Sequence, residues 1–300
     1  MGYLLLISRI RSLTPNTIWL GLGVACMVFA AACGGSPQSP TTPTPAPAPT
    51  PTPAPGAQRS TTDRPDDVAG TQVHVMYVLP RDGADQSFDT DGTISGAVQW
   101  ARSWFVDQTD GRRVRFDTFQ GTVDITFLRT DRTDAEYVSM GVRIRDGVAA
   151  DLVAAGFTQG TKIYSVFFGG GSPRFGSIPC AQGARPGNMS AVYLACLLER
   201  SDIQALIPVH GLSKMLGMGA IHEVFHNLGA VPDCAPHHVN AHASDDPRDI
   251  MVSSFSVQLN TFREPGFVPL LDAGRDDYYA HANRGCLDIA GSAVLDAGGI

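Results

Sequence analysis

The sequence predicts an α+β domain that occupies roughly the last three quarters of the chain. Two apolar, β-type runs, Val73–Pro80 and Lys162–Gly170, are separated by segments whose apolar residues recur at helical spacing. A third helical segment, Leu212–Leu228, follows them. The elements therefore alternate as β-α-β-β-α-β-β-α, and roughly seventy residues with little periodicity come after them.

The elements between these three segments are predicted from the alternation of apolar and polar residues and from turn residues. Gly121 marks a turn between two short alternating runs, and Gly229 is a natural stop for the third helix. The remaining predicted elements are a helix within Thr93–Gly111, strands over Arg113–Gln120 and Val123–Thr130, a helix over Asp134–Gly156 and a strand within Met189–Leu197.

Composition limits the classes of function. The 300 residues are 43% hydrophobic and 17% charged, and the net charge is -7. This length and apolar content are enough for one large domain with its own core. The weakly acidic balance argues against nucleic acid as the main partner.

The N-terminus has the features of an export signal. Arg9 and Arg11 precede an apolar run, Ile18–Ala32, that is short for a membrane span. The residues around Cys33 resemble a bacterial lipobox, although Ala30 replaces the usual leucine. We expect residues 1–33 to be a signal peptide and Cys33 to be lipidated, which would anchor the protein in the cell envelope. Ordinary signal cleavage with secretion, or a retained anchor, is the alternative.

A proline-rich segment follows the signal. Nine of the twenty residues of Ser36–Pro55 are proline, a composition typical of an extended polyproline spacer. We therefore expect residues 34–71 to be a disordered tether and residues 72–300 to be the folded domain.

The chemistry is concentrated in His222–His226. On a helix, residues four apart share one face, so His222 and His226 can present both imidazoles to one metal ion. Glu223 lies about 100° around the helix from His222 and can reach a water near that ion. This pattern is typical of a catalytic zinc site with a carboxylate general base.

The four cysteines of the domain suggest two disulfides. An even number in an exported chain favours bridges, and four cysteines allow three pairings. We favour Cys180–Cys196, which closes a local loop, and Cys234–Cys286, which ties the segment after the third helix to the C-terminus. A thiolate metal ligand is the alternative for Cys234.

The segment His222–Gly229 resembles the metzincin zinc proteases, whose pattern is H-E-x-x-H-x-x-G-x-x-H/D. Met251 stands where their Met-turn methionine would be expected. The resemblance implies a mixed twisted sheet with two long helices, an active-site helix and an irregular C-terminal subdomain. It divides the domain into an upper part, 72–229, and a lower part, 230–300. It also implies one catalytic Zn²⁺ and a protein or peptide substrate.

The third metal ligand departs from that pattern, because Pro232 occupies its position. Asp233 is one residue late, and one residue in an extended loop turns a side chain to the opposite side. We favour His237, since Pro236 restricts the backbone before it and histidine is a common zinc ligand. The run ending in Ala-Pro-His further resembles bacterial secreted protease-like sequences. The candidates are Asp233, His237, His238 and His242.

The sequence favours a surface-tethered zinc endopeptidase. Two other functions stay open: a non-catalytic surface binding lipoprotein with a protease fold, and a zinc amidase that acts on cell-wall material. Intact Glu223 argues against the first of these. Many metzincins carry a tyrosine shortly after the Met-turn, and none follows Met251 closely. Tyr278 and Tyr279 are candidates for that role, although packing is the better interpretation of both.

Overall fold

The computed structural model describes residues 59–171, 179–252 and 263–296. The predicted signal peptide, the predicted lipidation site Cys33 and the spacer up to residue 58 lie outside the described residues. None of the helices in the described ranges combines the length and the hydropathy needed to cross a membrane.

Five strands form the central sheet, in the order β5-β1-β6-β8-β7. All neighbouring pairs are parallel except β7 and β8, so the sheet is mixed and its antiparallel strand is at one edge. The strands are β1 Gln72–Leu79, β2 Arg113–Val114, β3 Thr118–Phe119, β4 Thr122–Val123, β5 Ile125–Arg129, β6 Lys162–Phe168, β7 Ala181–Gly183, β8 Met189–Tyr193, β9 His238–Val239, β10 His242–Ala243 and β11 Leu295–Asp296.

Helices cover both faces of this sheet. Alternate residues of β1 enter different cores: Val75 and Tyr77 pack on one side, and Met76 and Val78 on the other. Both cores exclude water, which is why β1 is apolar along almost its whole length. The helices are α1 Thr93–Gln108, α2 Asp134–Val138, α3 Ile144–Ala154, α4 Leu194–Glu199, α5 Ser201–Gln204, α6 Ile207–His210 and α7 Leu212–Leu228.

The two long helices, α1 and α7, pack against each other on one face. A side chain at Gly217 of α7 would meet the carbonyl oxygen of Ala97 of α1 at 2.5 Å, so the glycine permits the close approach. The shorter α2 and α3 cover the opposite face. The predicted α+β class, with a mixed sheet and two long helices, is confirmed.

Several predicted elements are shorter than expected. The segment Arg113–Gln120 is not one continuous strand: it contains β2 and β3, and between them Phe116 forms an isolated parallel bridge with Val73. The helix predicted over Asp134–Gly156 is interrupted at Gly141, whose φ of 58° leaves the right-handed helical region. The segment Met189–Leu197 is a strand only as far as Tyr193, after which the chain becomes helical.

The folded domain begins upstream of the predicted boundary at Gln72. Arg59 forms an ion pair with Asp89 at 2.6 Å, and Arg64 forms one with Asp124, also at 2.6 Å. Ser60 pairs with the outer side of β5 in a parallel bridge to Thr126. Residues 59–71 are therefore part of the domain and not of a disordered tether.

The predicted lower part shares its core with the long helices. The indole nitrogen of Trp104 in α1 donates to the carbonyl oxygen of Pro269 at 2.8 Å. The rings of Phe225 in α7 and Tyr278 lie 6.4 Å apart. Both parts of the domain therefore contribute side chains to one apolar cluster.

Candidate metal centre

Three histidine rings converge beside α7. His222 and His226 are one helical turn apart, and β10 supplies His242. One nitrogen of each ring lies within 4.8 Å of the corresponding nitrogen of the other two. The Nε2 atoms of His226 and His242 are 3.2 Å apart.

Hydrogen bonds fix the orientation of two of these rings. His222 Nδ1 donates to the carbonyl oxygen of Ile250 at 2.6 Å, and His242 Nδ1 donates to that of Asn240 at 2.8 Å. A protonated Nδ1 leaves the Nε2 lone pair available for a metal. The buried Nδ1 of His226 has no hydrogen-bond partner in the ranges described.

The spacing of the nitrogens fits zinc. Two nitrogens bound tetrahedrally at about 2.0–2.1 Å from Zn²⁺ lie about 3.3–3.4 Å apart, close to the observed separation of His226 and His242. Three protein nitrogens with an open fourth position are the ligand set of a catalytic zinc site.

The electrostatic environment keeps these rings neutral, as metal ligation requires. Burial lowers the pKa of His222 to about 3 and that of His242 to about 4. It also lowers the pKa of His226 well below its ordinary value, and the neighbouring histidines act in the same direction. All three imidazoles are therefore uncharged at neutral pH, with one protonated nitrogen each.

A short hairpin brings His242 to the site. Strands β9 and β10 are joined by Asn240 and Ala241, which have φ values of 53° and 62°. Positive φ at both central residues is typical of a tight type I′ turn. Ala243 then donates its N–H to the carbonyl oxygen of Met251 at 3.0 Å, so the hairpin is fixed to the segment after it.

His237, which the sequence favoured as the third ligand, lies in a different cluster. Its Nδ1 is 3.3 Å from Asp277 Oδ2, 3.8 Å from Asp276 and 4.0 Å from Asp245. Burial alone would lower the pKa of His237, but the carboxylates of Asp277 and Asp245 raise it overall. The structure therefore groups His242, and not His237, with His222 and His226.

The other two candidates also point elsewhere. The Asp233 side chain is fully exposed, at 103% relative exposure. His238 Nδ1 donates to the carbonyl oxygen of Val231 at 2.9 Å, which holds the loop after α7. Neither belongs to the group formed by the two helix histidines.

Glu223 lies beside the histidines and is almost completely buried. Its Oε1 is 3.9 Å from His222 Nε2. Burial raises the pKa of Glu223 to about 8, whereas the charge of Arg185 and a hydrogen bond from the Gly183 backbone lower it. A carboxylate with a pKa near neutrality can accept a proton and return it.

Strand β7 passes over α7 at Gly183, a contact that the sequence did not predict. A Cβ there would lie 2.5 Å from the Glu223 carbonyl oxygen and 2.8 Å from the Cβ of His226. Only glycine permits this approach. The strand has three residues, too few for an alternation pattern, and the isolated glycine was the only available signal.

Met251 is fully buried in the segment that carries the Ile250 carbonyl oxygen. Its N–H donates to Asp249 Oδ1 at 2.6 Å, and the Tyr278 hydroxyl donates to the same oxygen at 2.9 Å. The Tyr278 hydroxyl is thus used to hold this segment. Buried Tyr279 packs edge-to-face on Phe105. Neither tyrosine lines the candidate cavity.

Both predicted cysteine pairings are present. Cys180 and Cys196 have Cα atoms 5.2 Å apart, and Cys234 and Cys286 have Cα atoms 5.7 Å apart, with sulfurs at bonding distance in each pair. The second bridge joins the loop between α7 and β9 to the C-terminal region. Cys234 is therefore not available as a metal ligand.

The histidines open onto a cavity of about 610 Å³. Its walls come from β7, from α7 and from the segment around Ile250. Much of the lining is apolar, including Val192, Leu197 and Met218, and three arginines are also present. This volume is suited to a side chain or a short stretch of a larger molecule.

No protein-family model and no curated protein matches this chain. Among solved structures, it is similar to archaemetzincin from Methanopyrus kandleri, with 14% identity and a TM-score of 0.35, over 65% of this chain and 88% of that chain. It is also similar to wild-type OgpA from Akkermansia muciniphila, with 15% identity and a TM-score of 0.35, over 57% of this chain and 51% of that chain. Catalytically inactive OgpA in complex with an O-glycopeptide, glycodrosocin, matches with 13% identity and a TM-score of 0.32, over 57% and 50% of the two chains.

Proposed function

We propose that this protein is a zinc-dependent endopeptidase. The observation that carries the proposal is the convergence of three neutral histidines, His222, His226 and His242, on one point beside buried Glu223. Surface histidines on an ordinary amphipathic helix would be exposed, whereas here His226 is buried and a third ring, His242, joins the pair from another element.

In this proposal the Nε2 atoms of the three histidines would hold the metal, which would supply Lewis-acid activation of water and of the scissile carbonyl. Glu223 accepts the proton of the attacking water and delivers it to the leaving amine. The positive charge of Arg185 lowers the pKa of Glu223, and a bound metal ion would act in the same direction, which favours the ionised carboxylate.

The test is Glu223→Gln, which keeps the size of the side chain and removes the proton acceptor. We expect full zinc stoichiometry and loss of most turnover on casein, by at least about 100-fold, in the range typical of general-base removal. Hydrolysis of casein by the variant at a near wild-type rate would show that the mechanism is wrong. If the wild-type protein digests purified cell wall and not casein, the activity is that of an amidase.

We further propose that the protein is tethered to a membrane surface through lipidated Cys33. The support is the lipobox-like sequence and the proline-rich segment that follows it. Cys33→Ser should move the protein from the membrane fraction to the soluble exported fraction. Unchanged membrane association of that variant would refute lipidation.

A further inference from the structure

The wall of the cavity is positively charged, although the chain as a whole has a net charge of -7. Three arginines line it: Arg145, Arg185 and Arg200. Glu223 is the single acidic side chain among the described lining residues, and the proposed reaction already uses it.

Two of these arginines have carboxylate partners close by. Arg145 pairs with Asp146 at 2.5 Å, and Arg200 pairs with Asp202 at 2.6 Å. Their charges are therefore largely balanced within the protein.

Arg185 is different. Its Nη1 donates to the carbonyl oxygen of Asn240 at 2.7 Å, and it has no carboxylate partner in the described part of the chain. The residues outside the described ranges contain no aspartate or glutamate side chain. The single hydrogen bond also attaches Arg185 to the turn before His242, so its guanidinium stays near the metal ligands.

A cation at this position opposes the binding of a metal ion. Arg185 lines the same cavity as His222, His226 and His242, so its charge faces the candidate metal site. A like charge beside a Zn²⁺ site costs free energy, and a negatively charged partner would offset that cost. The planar guanidinium matches a carboxylate through two parallel hydrogen bonds.

We propose that the cavity selects substrates that carry a carboxylate close to the bond to be hydrolysed, and that Arg185 recognises this carboxylate. The inference rests on the proposed peptidase function. The carboxylate can belong to an acidic side chain, to the end of a peptide chain or to an acidic sugar on a glycopeptide, and the experiment separates these sources.

The experiment begins with peptides randomised in sequence and blocked at both ends, which the zinc-loaded wild-type protein cleaves before the products are sequenced. We expect Asp and Glu to be enriched at one position near the cleaved bond. A matched pair of peptides, with Glu or Gln at that position, should then differ in kcat/KM by about 5- to 30-fold, the range for one partly exposed charge-assisted contact. Peptides with a free C-terminus and sialylated glycopeptides form the other two arms.

Arg185→Met should abolish the Glu/Gln preference, so that the ratio of kcat/KM between the two peptides falls to about 1. Arg113→Met removes an exposed arginine outside the cavity and should keep the preference. High salt should weaken selection of the Glu peptide more than hydrolysis of the Gln peptide. A uniform loss on both peptides in Arg185→Met would assign Arg185 to the reaction itself and overturn the proposal, as would an absence of preference in all three arms.

A measurement of peptide binding without turnover tests the carboxylate site independently of the proposed peptidase activity. Fluorescence anisotropy with Glu223→Gln compares labelled Glu and Gln peptides without turnover. If the wild-type protein cleaves nothing but the Glu peptide binds more tightly through Arg185, the peptidase proposal fails and the carboxylate site stands. If peptides are cleaved and both labelled peptides bind equally, the carboxylate site fails and the peptidase proposal stands.

Discussion

Replacing His242 by alanine should abolish stable zinc binding, whereas replacing His237 should not. His242 supplies one of three nitrogens, and its Nε2 lies at the separation from His226 Nε2 that zinc requires. Losing an outer hydrogen bond of a zinc ligand typically costs about 10–100-fold in affinity, so losing the ligand should cost more than about 100-fold. That factor corresponds to about 3 kcal/mol of zinc-binding free energy.

Two measurements check this expectation. The first is zinc content after dialysis, which should be about one ion per chain for wild type and His237→Ala and near zero for His242→Ala. The second is thermal unfolding with added zinc. At a zinc concentration of about 100 Kd, wild type gains about 2.7 kcal/mol, which raises the Tm of a domain of this size by about 5–11 °C. His242→Ala should lose this shift.

His237→Ala is the matched control for His242→Ala, because both variants remove a histidine from the same region of the chain. His237 interacts with Asp277 and its neighbours and not with the other two rings. Circular dichroism establishes that each variant is folded before zinc is measured. If His237→Ala loses zinc and His242→Ala keeps it, the assignment returns to His237 and the geometric reasoning is refuted.

Two further predictions concern the support of the site. Gly183→Ala should push β7 away from α7, which lowers turnover at least about tenfold and stability by about 1–3 kcal/mol. Gly160→Ala is the control: a Cβ at Gly160 meets nothing within 4 Å, so turnover and stability should be nearly unchanged. Kinetics and denaturant titration measure the pair, and equal behaviour of the two variants would contradict the close contact. Asp249→Asn should cost about 1–3 kcal/mol of stability, because buried donors lose an acceptor. Tyr278→Phe should cost less than Asp249→Asn, and the reverse order in the same titration would argue against the carboxylate as the centre of this network.

The helix of the candidate site was predictable because each of its signals is local. The apolar residues of α7 recur at helical spacing, and Gly229 ends the helix with a φ of 84°. The relation between His222 and His226 follows from helix geometry alone. The long parallel strands β1 and β6 were equally visible, since burial on both faces makes most of their residues apolar.

The position of His242 beside the helix histidines was not predictable in the same way, because it depends on a turn. Asn240 and Ala241 both adopt positive φ, and alanine gives no signal for this conformation. Because the sequence does not reveal this turn, the Ala-Pro-His run made His237 the more plausible prediction for the third ligand. The three aspartates that surround His237 come from two separate loops, so their effect on its proton could not be read from spacing.

The sequence also did not reveal that residues 59–71 belong to the folded domain, because their composition is polar. These residues have few apolar side chains, yet Arg59 and Arg64 are fixed by aspartates that lie about thirty and sixty positions further along. Long-range ion pairs of this kind leave no periodic pattern in a sequence.

The position of this N-terminal segment has a consequence for self-association. Strand β5 is at the edge of the sheet, and an uncovered edge is a template for pairing with another molecule. The carbonyl oxygen of Ser60 accepts the N–H of Phe127, and Arg59 lies over the Phe127 ring. A chain cut upstream of Arg59 would keep this edge covered, and the resulting domain would stay monodisperse. A shortened chain that begins at Gln72 would expose the edge of β5 and aggregate through it.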